Sequence, residues 1–161
     1  WMKDYLEEEI GIPVFFEKQY YEVSGKNFLL AHGDGLGPGD KGYKRMKKLF
    51  TNPVAQWFFK WLHPDIAMKV AIYFSTKNKM ISGVEDMTFL GEDKEFLIIY
   101  SKDKLKSEKI DYFVYGHRHL PMILDLKIDN NEAKYVNLGD WISYFTYGVF
   151  DGEEFKIETY K

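Results

Sequence analysis

The chain has 161 residues, no cysteine and a formal net charge of −3. That length suits one domain with a sizeable core, and the missing thiols exclude disulfides, thiolate catalysis and zinc–thiolate sites. The charge is unevenly spread: residues 41 to 79 carry nine basic side chains against Asp65 alone, a formal +8 that leaves −11 for the remainder. A basic block inside an acidic chain points to an anionic partner such as a phosphate or a membrane surface.

Residues 1 to 10 read as the end of a helix, stopped by Gly11 and Pro13. Two short strands follow, Gln19 to Val23 and Lys26 to Ala31, turned at Ser24-Gly25. The second strand delivers His32 into Gly33-Asp34-Gly35-Leu36-Gly37-Pro38-Gly39-Asp40, a glycine-dense loop that matches neither a P-loop nor a dinucleotide fingerprint. Residues 41 to about 79 then read as an inserted helical cluster, with Asn52-Pro53 and His63-Pro64 marking two helix starts. Within it Val54, Trp57, Phe58, Trp61 and Leu62 form one helical stripe. Packing against the main body is the ordinary fate of such a stripe. Its company of nine basic residues and a glycine loop favours instead a lid that receives an amphiphile.

Beyond the insert, Glu95 to Tyr100 fits either a helix or a strand, and Lys102 to Lys109 is a charged polar stretch. Ile110 to Tyr115 reads as a buried strand. Met122 to Ile128 and Lys134 to Leu138 form a further pair around Asp129-Asn130-Asn131. Tyr144 to Phe150 and Glu153 to Tyr160 form the last, joined by Asp151-Gly152, a two-residue hairpin signal.

Three of the four histidines stand at predicted strand ends: His32, His117 and His119. Open α/β sheets place ligand sites at the carboxyl ends of their strands, and neutral imidazole is the commonest metal ligand. Gly116-His117-Arg118-His119 can bring two imidazoles to one ion or to two adjacent ones. His63 precedes Pro64 between two predicted helices, so capping or surface packing accounts for it.

With strand-His32-Gly33-Asp34, a helical insert, then strand-Gly116-His117-Arg118-His119 and a terminal β meander, the chain resembles the calcineurin-like metallophosphoesterases. Within them it is most similar to the branch acting on UDP-2,3-diacylglucosamine in the lipid A pathway. The resemblance implies an α/β (α+β) fold: one domain over 1–161 that forms part of a two-sheet metallophosphoesterase β sandwich flanked by helices, with a helical lid at about 41–79. It implies two divalent ions such as Mn²⁺, with His32 and His117 on one and His119 on the other, and gives His117 a catalytic contact with phosphate. By the same resemblance Asp40, Ser75 and Lys79 meet substrate; the basic Lys44 and Arg45 of the insert are expected to join them, and the stripe with Trp57, Phe58 and Trp61 is expected to face lipid. The implied partners are a UDP-acylsugar or related phosphoester and an anionic membrane surface on the cytoplasmic face of the inner membrane. No nucleic acid is expected, because the aromatic residues of the insert share one helical face.

The family's Asp-x-His, its bridging Gly-Asp and its Gly-Asn-His-Asp or Gly-Asn-Arg-Asp motif do not occur here. The chain is therefore expected to correspond to the C-terminal two thirds of such an enzyme, with about half the metal shell and little activity alone. Two other readings stay open: a calcineurin-like phosphoesterase of different substrate, and a non-catalytic lipid-binding module with a vestigial metal site.

Overall fold

The computed structural model describes residues 2–37, 41–82 and 88–161, with side chains for 5–37, 44–76 and 88–161. Helix α1 (Met2–Glu8) ends where Gly11 takes φ +71° and the Ile12 N–H returns to the Leu6 carbonyl. Strands β1 (Gln19–Val23) and β2 (Lys26–Ala31) form the expected hairpin. Both turn residues, Ser24 and Gly25, have positive φ, as a two-residue hairpin requires.

Strands β3 (Tyr112–Tyr115), β4 (Met122–Ile128) and β5 (Asn131–Asn137) complete a five-stranded sheet in the order β1-β2-β3-β5-β4. Its three central strands run parallel, and its two edges are antiparallel. A second sheet consists of β6 (Thr146–Phe150) and β7 (Phe155–Thr159). Each central strand is apolar on both faces, so successive residues feed two separate cores. Leu29, Phe113, Tyr115 and Tyr135 pack beneath helix α5 (Phe96–Leu105). Their neighbours Phe28, Tyr112, Val114 and Val136 gather with Phe155 from the second sheet. There Phe28 stacks on Tyr112 with ring centroids 4.8 Å apart. The result is two facing sheets with a helix outside, an α+β sandwich.

Several boundaries differ from the sequence reading. Residues 96–105 are a helix, because Leu97, Ile98, Ser101 and Leu105 share one buried face. That helix takes in the first part of the charged stretch. Strand β3 begins at Tyr112 instead of Ile110, β5 at Asn131 instead of Lys134, and β6 at Thr146 instead of Tyr144. The last hairpin has a four-residue loop, since Phe150 pairs with Phe155. Asp151 decides this by accepting from the N–H groups of both Glu153 and Glu154, which stabilises a wider turn than Asp-Gly alone suggests.

The insert consists of α2 (Lys41–Phe50), α3 (Pro53–Lys60) and α4 (Pro64–Ser82). Asn52 caps α3 by accepting from the Val54 and Ala55 N–H groups, and Pro53 opens the first turn. His63 plays the corresponding role before α4, where its Nδ1 accepts from the Asp65 N–H at 3.4 Å. Among the described residues, neither core cluster includes a residue of these helices. None of the helices in the described chain is long and apolar enough to cross a membrane.

Candidate metal and phosphate site

Parallel pairing of β2 with β3 sets Ala31 opposite Tyr115. The two chains therefore leave the sheet side by side, with the Gly116 N–H donating to the His32 carbonyl at 3.1 Å, and His32 meets His117, one residue further on, although 85 positions separate them. Their Nε2 and Nδ1 atoms stand 3.5 Å apart, with the rings nearly perpendicular at 86°. Phe96 backs His117 edge to face at 5.8 Å. Gly33 makes this approach feasible. It holds φ +110°, and a Cβ there would lie 2.9 Å from Leu97 Cδ1 and 3.1 Å from His117 Cβ. Gly33→Ala is accordingly expected to destabilise the fold by about 1–3 kcal/mol through overpacking and backbone strain, read as a lower urea midpoint.

Alternation sends the residue between the two later histidines inward. Arg118 is buried and donates to the Thr88 carbonyl at 2.6 Å and to Glu95 Oε1 at 3.0 Å. Glu95 also accepts from the Leu90 N–H, so this pair ties the histidine loop to the start of α5. His119 turns out to solvent, and its Nδ1 lies 3.4 Å from Asp140 Oδ2. The N–H groups of Ser143, Tyr144 and Ile142 hold the Asp140 carboxyl below the usual carboxylate range, against the opposing effect of desolvation.

Of the residues singled out from sequence, His32, His117 and His119 come to the carboxyl end of the parallel strands. Lys44 donates to the Gly37 carbonyl at 2.7 Å, and Lys47 pairs with Asp34. The basic helix thus lies directly against the loop that follows His32. Arg45 is exposed, and Ser75 lines a cavity of about 940 Å³ inside the insert. Asp40 and the Lys79 side chain lie outside the described residues. Phe58 also lines that cavity, while Trp57 and Trp61 sit ring to ring at 5.6 Å with exposures of 54% and 75%. Sequence reasoning missed Glu95 and Asp140. The one local hint was Leu138-Gly139-Asp140, a strand running out into glycine and an acid like the other two segments.

Among the described residues no three His, Cys, Asp or Glu side chains assemble as a ligand set. The pair His32–His117 nevertheless fits a shared ion. Two imidazole nitrogens about 2.1 Å from one cation stand about 3.0 Å apart at octahedral angles and about 3.4 Å apart at tetrahedral ones, close to the 3.5 Å observed. Neutral nitrogen donors also suit borderline divalent ions of the first transition row.

An α+β sandwich that presents histidines from the ends of its parallel strands, beside a basic helical insert, is the class of scaffold the fold defines. The particular relatives carry one shared name. The chain is 33% identical over 172 aligned residues to UDP-2,3-diacylglucosamine hydrolase of Porphyromonas gingivalis, covering 99% of this chain and 64% of that protein. It is 26% identical over 137 residues to the proteins of the same name from Yersinia pseudotuberculosis and Yersinia pestis, covering 83% of this chain and 54% of each relative. No family model matches. The chain is a homologue of proteins named UDP-2,3-diacylglucosamine hydrolase and spans just under two thirds of the length of the first of them.

Proposed function

We propose that the full-length protein is a calcineurin-like metallophosphoesterase that hydrolyses UDP-2,3-diacylglucosamine to UMP and 2,3-diacylglucosamine 1-phosphate. Water attacks the α-phosphorus, the bond to the bridging oxygen breaks, and the sugar phosphate leaves. The observation that carries this reading is the seating of a basic, apolar-walled insert on the loop that follows His32. The insert thereby brings basic residues to the loop after His32 and carries a largely apolar cavity that suits hydrocarbon.

His32 and His117 would hold one divalent ion and His119 a second, with Mn²⁺ the expected metal. Such ions supply charge neutralisation at phosphorus and activate water. His117 would also hydrogen-bond a phosphate oxygen. Lys44, Arg45, Ser75, Lys79 and Asp40 hold the polar part of the substrate, and the insert shelters its acyl chains. The exposed Trp57 and Trp61 rest at an anionic membrane surface, where indole rings and lysines are both favoured.

Full-length protein with Mn²⁺ is expected to release UMP from UDP-2,3-diacylglucosamine, to stop on addition of EDTA, and to process unacylated UDP-glucosamine at least ~100-fold less efficiently. Each buried methylene is worth about 0.8 kcal/mol, so losing the chains removes more than enough binding for that ratio. Trp61→Glu should raise KM for the acylated substrate presented on vesicles and leave the unacylated one unaffected. Equal efficiency on both substrates, or full activity in EDTA, overturns the proposal.

A further inference from the structure

We propose that Asp140 is a positioning residue: its carboxylate accepts from His119 Nδ1–H and so holds His119 as the tautomer whose Nε2 lone pair faces outward, toward an ion. This rests on the metal reading above and adds to it a residue that neither the histidine motifs nor the relatives' names point to.

The argument starts from how the two carboxylate oxygens are divided. Oδ1 accepts three backbone N–H groups, from Ile142 at 3.0 Å, Ser143 at 2.7 Å and Tyr144 at 3.1 Å. The Asp140 carbonyl in turn accepts from the Thr146 N–H at 3.2 Å. These bonds lock the rotamer of Asp140 and wind the 140–144 loop around it. Oδ2 is thereby aimed at His119 Nδ1, 3.4 Å away. The Asp140 side chain is 9% exposed and His119 47%, so the carboxylate is fixed and the ring is the part that adjusts.

A carboxylate oxygen only accepts, so a neutral ring that closes the 3.4 Å separation to a hydrogen bond carries its proton on Nδ1. The proton-free Nε2 then lies on the far side of the ring. Carboxylate to histidine to metal is the arrangement by which outer residues orient a ligand and raise its basicity. Here the carboxylate itself is held by main-chain donors, so the order runs from loop to Asp140 to His119.

Asp140→Asn is the informative replacement. Three N–H donors demand the amide oxygen at the Oδ1 position, which puts Nδ2, a donor, against His119 Nδ1. The loop keeps its clamp while the bond to the ring reverses. The ring proton should move to Nε2, the atom needed for the metal.

Nitrogen-15 NMR of the metal-free protein reads the tautomer of His119 directly. The expected result is Nδ1–H in the wild-type protein and Nε2–H in Asp140→Asn, with Mn²⁺ affinity by calorimetry reduced about 10- to 100-fold and a melting temperature changed by only a few degrees. Asp140→Glu, which restores an acceptor, should recover the Nδ1–H form. An Nε2–H tautomer in the wild-type protein, or unchanged tautomer and affinity in Asp140→Asn, overturns the proposal. A wild-type protein that shows the Nδ1–H form, lost in Asp140→Asn, yet binds no Mn²⁺ would sink the metal reading and leave the positioning role established.

Discussion

Replacing His117 with alanine in the full-length protein is expected to lower turnover by at least ~100-fold, whereas His63→Ala changes it by less than about twofold. The two residues share a side-chain chemistry and differ in place. His117 leaves the central strand of the sheet, faces His32 at 3.5 Å and is backed by Phe96. On the proposed reading its loss removes an ion ligand and a phosphate contact together, and outer-shell losses alone typically cost 10- to 100-fold. His63 sits exposed at the start of α4, where its ring accepts one backbone N–H, and losing such a cap costs about 1 kcal/mol of local stability. Turnover should be measured beside bound Mn²⁺ by elemental analysis and fold by circular dichroism. Equal losses at unchanged fold would refute the assignment of the site.

The second large effect belongs to stability. Arg118→Met leaves the Glu95 carboxylate buried without its guanidinium, and breaking a buried pair from one side costs about 3–5 kcal/mol. For a chain of this size each kcal/mol is worth about 2–4 °C, so the melting temperature should fall by roughly 10 °C. Because Arg118 also donates to the Thr88 carbonyl, the flanking histidines should lose their fixed spacing and bind Mn²⁺ more weakly. Replacing both partners, Arg118→Met with Glu95→Leu, should recover much of the stability, since two apolar side chains need no counter-charge. A single variant that melts within about 2 °C of the wild-type protein would show that the pair is dispensable.

The strands that carry the histidines were legible because nothing competes with their local signals. Tyr112 to Tyr115 and Phe28 to Ala31 are short apolar runs that end at glycine and histidine, and buried parallel strands require that pattern. The helix starts at Pro53 and Pro64 were equally legible, since a missing N–H is tolerated only in the first turn. Glu95 to Tyr100 was ambiguous for the same kind of reason. Its apolar run is too short for period 2 and period 3.6 to separate, and only Ser101 and Leu105, packed on the sheet, settle the helix.

What the residues alone determined is therefore the strand-to-histidine segments, the capped helices of the insert and its concentrated positive charge, because these depend on propensities and periods within a few neighbouring positions. The tertiary structure decided which groups meet. Strand β5 lies beside β3, ahead of β4 in the sheet, and that order carries the chain after β5 back to the histidine loop, where Asp140 reaches His119. Helix α5 lies across the same sheet and starts beside Arg118, so Glu95 finds a partner 23 positions away. Such pairings follow from strand order and from which face each side chain takes, and neither property is encoded in any short stretch of chain.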